Sequence, residues 1–134
     1  MLVDFNEIRE ILITCKTIAV VGLSPKSTRP SHRVAGYLLE AGYRVIPVNP
    51  GQSEILGQAC YPNLSAIPVA VDLVNIFRRS QDVPPVVDAA IKIKAKAVWM
   101  QEGIINNEAA AKARRHGLRV VMDRCTMTDH ADLL

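Results

Sequence analysis

The stretch that most constrains the fold is Thr17 to Leu39, where an apolar run, a polar loop and an amphipathic segment follow one another. Residues 18–21 are apolar and largely β-branched, which is typical of a strand buried on both faces. Gly22 ends this run, and a polar loop leads to Ser31, which we expect to be the N-cap of a helix. The order strand, loop, helix predicts an anion site, because loop amides and a helix N-terminus point at one spot beyond the strand.

Cationic side chains gather around this predicted site. Lys26, Arg29 and Arg33 belong to the loop and the start of the helix, and Arg78 with Arg79 follows a later apolar run. The arginine fork matches phosphate oxygens in pairs, so several arginines at one crevice favour a ligand with more than one phosphate group. The alternative for each of these side chains is simple solvation, and Arg33 can equally point outward from its helix.

Two helices flank the first strand. The earlier one is predicted over 4–14, where Asp4 and Glu7 form a capping-box pattern, and we expect it to cover the sheet. The later one is predicted over 31–41 and is ended by Gly42 as a C′ glycine. Gly36, inside it, costs roughly 1 kcal/mol relative to alanine. Either Gly36 permits a close approach of helix and strand, or it is a tolerated interior glycine.

The remaining chain alternates between apolar runs and helical patterns. Four further strands are predicted at 44–48, 69–76, 97–100 and 119–122. Further helices are predicted after Ser80 or Asp82, with two prolines in the first turn, and over 107–116. Residues 51–68 are expected to form an excursion with a short helical turn near 64–67, and the tail from 123 to be irregular or briefly helical.

This alternation predicts one domain over residues 1–134 with a Rossmann-like, doubly wound α/β fold. Each crossover helix must pack back on a parallel five-stranded sheet with right-handed connections, which puts helices on both faces. The order 3-2-1-4-5 is the expected one, and it places the ligand crevice at the switch between strands 1 and 4.

The sequence lacks the motifs most often found at such a crevice. A G-x-G-x-x-G fingerprint is missing, since the loop has only Gly22, and no carboxylate ends the second strand, where Asn49 and Pro50 stand instead. NAD is therefore disfavoured but stays the alternative ligand. The spacing around Lys26 does not match a P-loop, and that around Ser24 does not match a nucleophile elbow.

Composition narrows the class of protein. The net charge of +3 is small and the basic residues are interleaved with acidic ones, so nucleic acid is not an expected partner. No apolar run is long enough to cross a bilayer, and we expect no membrane partner. Three widely spaced cysteines without a CxxC pair indicate free thiols and a cytoplasmic location. No metal site is expected.

Four segments carry a resemblance to a known family. Residues 19–50, 71–91, 97–104 and 120–125 resemble the small bacterial and archaeal coenzyme A-binding proteins, whose fold is similar to the N-terminal domain of the succinyl-CoA synthetase alpha subunit. The likeness extends from about Thr17 to Cys125. It implies that coenzyme A, free or as acyl-CoA, lies across the carboxyl edge of the sheet.

The resemblance also implies roles for residues. By similarity, the loop that holds the nucleotide phosphates contains Ser24, Pro25, Lys26 and Ser27. The stretch that lines the adenine and pantetheine path contains Phe77, Arg78 and Arg79. The segment near the pantetheine arm contains Met100, Gln101 and Glu102.

Two departures from the synthetase bear on function. Its lysine shortly after the proline that follows strand 2 is missing here, which puts nucleotide contacts from Asn49 and Pro50 in doubt and leaves the charge to Arg29 or Arg33. Its phosphorylated histidine lies on a second domain, and none of the three histidines here has a matching context. We therefore expect a binding protein with no catalytic residues and an unknown protein partner. The alternatives are a dinucleotide-dependent oxidoreductase, a partner subunit of an acyl-CoA transforming enzyme, or a protein-interaction domain.

Overall fold

The computed structural model describes residues 3–134, along which helices alternate with strands. The helices are α1 (Phe5–Thr14), α2 (Pro30–Glu40), α3 (Val83–Lys92), α4 (Asn107–Arg115) and α5 (Thr126–Leu133). The strands are β1 (Thr17–Val21), β2 (Arg44–Val48), β3 (Glu54–Ile55), β4 (Gln58–Ala59), β5 (Leu73–Ile76), β6 (Ala97–Met100) and β7 (Arg119–Val121). Short 3₁₀ helices at Leu64–Ala66 and Ser80–Asp82 lie in the connections on either side of β5.

Five of the strands form one parallel sheet in the order β2-β1-β5-β6-β7, which confirms the predicted Rossmann-like α/β class. The predicted strand order is wrong. The third strand of the sheet along the chain, β5, pairs with β1 and not beyond β2. The point where the chain reverses direction across the sheet therefore lies between β1 and β5, and not between the first and fourth strands as predicted.

Pro47 explains why β2 takes an edge position. It lies within β2, opposite Val20 of β1. Proline has no N–H to give to a second neighbour, so it is tolerated at a sheet edge and is unfavourable in a central strand. The predicted order would have placed β2 between two strands. This signal was present in the sequence, and it favours the observed order.

Helices cover both faces of the sheet. On one face, α1, α2 and α5 bury residues such as Ile11, Leu38 and Trp99. On the other face, α3 and α4 bury residues such as Val87, Ala110 and Met100. The strand residues alternate between these two clusters, as a sheet that is covered on both sides requires.

The predicted N-cap of α1 is confirmed, and that of α2 is wrong. Asp4 caps α1 as predicted, since its Oδ1 accepts a hydrogen bond from the N–H of Glu7 at 3.1 Å. The prediction of Ser31 as an N-cap is wrong: the N-cap of α2 is Arg29, with Pro30 at the first helical position. Proline is favoured there because its missing N–H would have no helical partner.

The excursion after β2 contains a small hairpin that the sequence pattern did not indicate. Strands β3 and β4 pair antiparallel around Leu56 and Gly57, which both have positive φ. The strands have two residues each, too few to show a periodicity. The third strand of the sheet is also shorter than predicted, covering 73–76 only. Among the helices of residues 3–134, none is long and apolar enough to span a membrane.

Candidate functional site

The carboxyl ends of β1 and β5 lie close together at the switch point, which is the place where the chain reverses direction across the sheet. Phe77 N–H donates to the carbonyl oxygen of Val21 at 2.8 Å, and Gly22 N–H donates to that of Val48 at 2.9 Å. Gly22 has a φ of +85°, and a Cβ at this position would collide with the carbonyl oxygen of Phe77. Only glycine lets the two chain segments leave the sheet this close together.

The loop after β1 is held by its own hydrogen bonds. Ser24 N–H donates to Ser31 Oγ at 3.0 Å, and Lys26 N–H donates to Ser24 Oγ at 3.1 Å. Ser31 therefore supports the loop and does not cap its helix. The turn leaves Pro25, Lys26, Ser27 and Arg29 exposed at the N-terminus of α2.

Asn49 joins the loops that follow β1 and β2. Its Nδ2 donates to the carbonyl oxygen of Leu23 at 3.0 Å, and its Oδ1 accepts from Gly51 N–H at 2.9 Å. Both ends of the amide are thus engaged within the protein, while Pro50 beside it is exposed. The contribution of Asn49 is to fix the position of the loop after β1.

The three residues after β5 have different surroundings. Phe77 is half-buried against the cluster under α2 and α5. Arg78 is half-buried and takes part in no ion pair among the described residues. Arg79 is exposed, and its Nε lies 2.9 Å from Asp82 Oδ2. Arg78 is therefore the stronger candidate for an anion contact.

Free positive charge is concentrated at this edge of the sheet. Lys26, Arg29 and Arg33 lie on the loop after β1 and on the first turn of α2. Like Arg78, they belong to none of the ion pairs formed within residues 3–134. With the dipole of α2 they make a region that suits a polyanion.

The segment after β6 is less accessible than its predicted role suggests. Met100 is fully buried in the core under α3 and α4, so its side chain does not reach the edge. Gln101 is buried, and its Oε1 accepts from Thr126 N–H at 3.1 Å and from Thr126 Oγ1 at 3.0 Å. Glu102 is exposed.

Sequence reasoning missed a buried polar pair beneath this edge. Asn75, in the middle of β5, is fully buried, and its Nδ2 donates to Thr126 Oγ1 at 3.1 Å. Its Oδ1 has no hydrogen-bond partner within residues 3–134. The signal was available, since an asparagine inside the otherwise apolar run Leu73–Ile76 is unusual. Thr126 had no signal of its own, because the sequence pattern predicts the tail from residue 123 only as irregular or briefly helical.

Asp123, Cys125 and His130 are the potential metal ligands of the tail, and they do not come together in a metal-binding group among the described residues. Asp123 Oδ1 accepts from Gly103 N–H at 2.7 Å, and His130 Nδ1 lies 2.8 Å from the hydroxyl of Tyr37. Cys125 is half-buried at the N-cap of α5. Burial raises the pKa of the Cys15 thiol, helped by the charge of Asp72, and burial also raises the pKa of the Cys60 thiol.

A groove of about 490 Å³ lies elsewhere, at the β7 edge of the sheet. None of the predicted site residues lines it. Its walls combine Asp4, Glu7 and Asp123 with Arg114 and Arg124, so its charges are mixed. It offers no concentration of cations for a phosphate-bearing ligand.

Comparison with known proteins gives consistent matches. The sequence model of the CoA binding domain family matches residues 16–131. The uncharacterized protein YneT of Bacillus subtilis (strain 168) is 42% identical over 125 residues, which cover 93% of this chain and 93% of that protein. A solved structure of a hypothetical protein from Pyrococcus horikoshii OT3 superposes with a TM-score of 0.94 at 44% identity, covering 98% of this chain and 92% of that one.

One longer relative carries the name of an enzyme. Acetate–CoA ligase [ADP-forming] I of Archaeoglobus fulgidus is 31% identical over 126 residues, which cover 87% of this chain but only 18% of the ligase. The chain therefore corresponds to about a fifth of that enzyme.

Proposed function

Because the chain belongs to the CoA binding domain family, we propose that it binds coenzyme A, free or acylated, across the carboxyl edge of its sheet. The observation that carries the proposal is the group of four cations at the switch point, Lys26, Arg29, Arg33 and Arg78. No carboxylate of the described residues neutralises them. Coenzyme A has a 3′-phosphate and a diphosphate, and guanidinium groups bind such oxygens in pairs.

The residues divide between the parts of the ligand in this proposal. The loop 24–27 and the N-terminus of α2 hold the diphosphate mainly through charge, from Lys26, Arg29 and Arg33 and the dipole of α2. Within the loop, Ser24 and Lys26 use their N–H groups internally and Pro25 has none, so Ser27 N–H is the amide donor left for the ligand. Phe77 and Arg78 line the path of the adenine and the arm, and Gln101 and Glu102 lie along the pantetheine end. Met100 contributes only its backbone, and Arg79 is a peripheral charge already paired with Asp82.

We propose binding without a reaction of the chain's own. Two of the three histidines have partners elsewhere in the protein: His116 Nδ1 lies 3.0 Å from the carbonyl oxygen of Lys112, and His130 Nδ1 lies 2.8 Å from the Tyr37 hydroxyl. His32 lies in the first turn of α2, beside the crevice, and is paired with no carboxylate of the described residues. A nucleophile next to a base at the crevice is what an enzyme would need. The module would then act as a carrier, a sensor or one part of a larger assembly.

Isothermal titration tests the proposal. Protein stripped of ligand by mild unfolding and refolding is titrated with coenzyme A, acetyl-CoA, dephospho-CoA, NAD and ADP. Coenzyme A should bind most tightly, and dephospho-CoA, which lacks the 3′-phosphate, more weakly. A preference for NAD would support an oxidoreductase instead, and no heat with any ligand would support a protein-interaction domain.

Arg78→Ala should weaken coenzyme A binding about tenfold or more, because a charge-assisted hydrogen bond contributes roughly 1.5–3 kcal/mol. The matched control is Arg44→Ala. It removes an exposed arginine at the amino end of β2, whereas the proposed site lies at the carboxyl ends of the strands. Equal dissociation constants for the two variants would exclude Arg78 from the site.

One observation favours a second candidate, a partner subunit of an acyl-CoA transforming enzyme. A similar sequence occupies 18% of the length of an acetate–CoA ligase. Such a subunit would bind coenzyme A in the same way but would need the remaining catalytic parts from another chain. Activity that appears only when a partner is added would favour this candidate.

A further inference from the structure

The groove at the β7 edge reaches the carboxyl edge of the sheet. Its lining includes Val121 of β7 and the three residues that follow this strand, 122–124. Because the strands of the sheet are parallel, the end of β7 lies at the same edge as the proposed coenzyme A crevice. The helices α1 and α4, which cover opposite faces of the sheet, contribute Ile8 and Arg114 to the sides of the groove. We call its end at the carboxyl edge the mouth.

Hydrogen bonds connect the mouth of the groove to the crevice. Ile105 lines the groove, and its N–H donates to Ser80 Oγ at 3.1 Å, in the segment after β5. Asp123 also lines the groove, and its Oδ1 accepts from Gly103 N–H at 2.7 Å, in the segment after β6. The segments after β5 and β6, which border the ligand in the proposed function, therefore also border the mouth.

The strand order gives the direction of the bound ligand. In the proposed function the nucleotide lies at β1 and β5, and the pantetheine arm ends at the segment after β6. The next strand of the sheet is β7, and neighbouring strands lie only about 4.8 Å apart. A group that is attached to the sulfur of the arm and continues in the same direction therefore meets the groove.

The groove presents apolar surface to such a group. Its volume of about 490 Å³ is within the range of about 300–1,000 Å³ that is typical of small-molecule sites. Val3 and Ile105 are 44% and 46% exposed, so covering them removes apolar surface from water. The apolar residues of the lining are Val3, Ile8, Ile105, Val120, Val121 and Met122.

Three of the charged groups in the lining already have partners in the protein. Asp4 caps α1 through the N–H of Glu7, Asp123 accepts from Gly103, and Arg124 is paired with Asp129. These groups therefore add little polar demand on a bound molecule. The apolar part of the lining is what remains for recognition, together with the side chains of Glu7 and Arg114.

We propose that this groove receives the acyl group of a bound acyl-CoA. The ligand class is then coenzyme A thioesters whose acyl chain is apolar and longer than acetyl. The nucleotide is held at the switch point, the arm passes the segment after β6, and the chain lies along β7 between α1 and α4. This inference rests on the proposed function, since the crevice must hold the coenzyme A part.

A chain-length series tests the inference. The ligand-free protein is titrated with coenzyme A and with its acetyl, butyryl, hexanoyl and octanoyl thioesters. The dissociation constant should fall about two- to fourfold for each methylene group beyond acetyl, because each group buried in the groove leaves water. An octanoyl-CoA that carries a diazirine at the end of its chain should label the peptides that contain Ile105 or residues 120–122.

A matched pair of variants separates the groove from general apolar binding. Ile105→Asp places a carboxylate in the groove and should remove the gain with chain length, while the affinity for free coenzyme A stays unchanged. The control is Ile13→Asp, which replaces an isoleucine of similar exposure, 39%, on α1 outside the groove. This variant should keep the full gain. Circular dichroism checks that both variants are folded.

The possible failures are distinguishable. Tight binding of coenzyme A with equal affinities along the series would overturn the acyl groove and leave the proposed function standing. Labelling outside the groove would do the same. A wild-type dimer in sedimentation that Ile105→Asp dissociates would assign the groove to a second copy and overturn the inference. Absence of coenzyme A binding by the wild type would overturn both proposals.

Discussion

Gly22 and Gly36 differ in whether the surrounding structure leaves space for a side chain. Gly22 has a φ of +85° and touches the backbone of Phe77, where a side chain would collide with a carbonyl oxygen. Gly36 lies inside α2, and a Cβ added there would meet no atom within 4 Å. The close approach considered for Gly36 is thus wrong, and the tolerated interior glycine is the correct alternative. The close approach occurs at Gly22.

Alanine substitutions should therefore change stability in opposite directions. Gly22→Ala should destabilise the fold by more than about 1 kcal/mol, because both the positive φ and the collision oppose it. Gly36→Ala should stabilise by roughly 0.5–1 kcal/mol, because alanine lowers the entropy of the unfolded chain and fits the helix. Urea unfolding of both variants checks this. A neutral Gly22→Ala would contradict the contact with Phe77.

Asp72 precedes β5 and links the segments at the amino ends of β1, β5 and β6. Its Oδ2 accepts from the N–H groups of Lys16 at 2.9 Å and Thr17 at 3.1 Å, and its Oδ1 lies 3.3 Å from Lys96 Nζ. Burial opposes ionisation of this carboxyl, but the hydrogen bonds from Thr17, Lys16 and Lys96 outweigh it and lower its pKa below the usual value. The charged form is therefore favoured by folding.

The lowered pKa of Asp72 predicts that the free energy of unfolding falls at acid pH. A depressed folded-state pKa contributes stability above the unfolded value of about 3.9, and that contribution is lost as the pH falls through the folded pKa. Asp72→Asn should lower the free energy of unfolding at pH 7 and flatten its fall below about pH 4. Asp88→Asn, which removes an exposed partner of Lys112, is the matched control. Parallel profiles for wild type and Asp72→Asn would contradict the shift.

At the scale of elements, α5 shows where the local sequence is a weak guide: the tail is predicted as irregular or briefly helical, and the structure forms a helix over Thr126–Leu133. The strands β1, β2 and β6 and the helix α1 are encoded locally, by apolar runs and by the Asp4 cap, and were predicted with nearly their observed bounds. Cys125 gives α5 no side-chain cap, so local signals are weak. Its support comes from distant residues: Gln101 and Asn75 hold its first residue, and Tyr37 contacts its His130.

The same reasoning applies to the candidate site. The loop 24–29 and Arg78 could be predicted, because polar and cationic residues directly follow apolar strands. The burial of Met100 and the engagement of Gln101 depend on which face each residue takes and on α5, and no spacing in the sequence shows these. For the strand order the sequence offers one signal, Pro47, whose missing N–H disfavours a central position for β2.

Asp129 is expected to decide whether α5 stays docked. It is 2% exposed, and its two oxygens accept from Arg124 Nε and Nη2, each at 2.7 Å. Asp129→Asn should destabilise by about 3 kcal/mol, the lower end for a broken buried pair, since Arg124 keeps part of its hydration. Hydrogen exchange should accelerate first in α5. The control is Asp132→Asn, an exposed position on the same helix. Unchanged protection of α5 would contradict this role.

At the scale of the molecule, the proposed ligand would join parts that are separate in sequence. The loop after β1 and the residues after β5 meet at the switch point. A ligand bound across them stabilises the folded state against the unfolded state by mass action.

Coenzyme A at about one hundred times its dissociation constant should raise the stability by about 2.7 kcal/mol and the Tm by about 8–10 °C. The shift should shrink at high salt, because the cations at this edge are largely exposed and their interactions are screened. Dephospho-CoA at the same concentration is the comparison in a thermal melt. Equal shifts for the two ligands would argue against recognition of the 3′-phosphate.

The hairpin β3–β4 has a consequence for how copies of this chain behave at high concentration. A sheet edge with free N–H and C=O groups can recruit a strand of another molecule and start aggregation. At the β2 edge, the chain that follows β4 closes over the last residues: Tyr61 N–H donates to the Pro47 carbonyl at 3.1 Å, and Asn49 N–H donates to the Tyr61 carbonyl at 3.0 Å. The other edge, β7, has only three residues and begins with a charged arginine. Both edges thus resist the addition of a foreign strand.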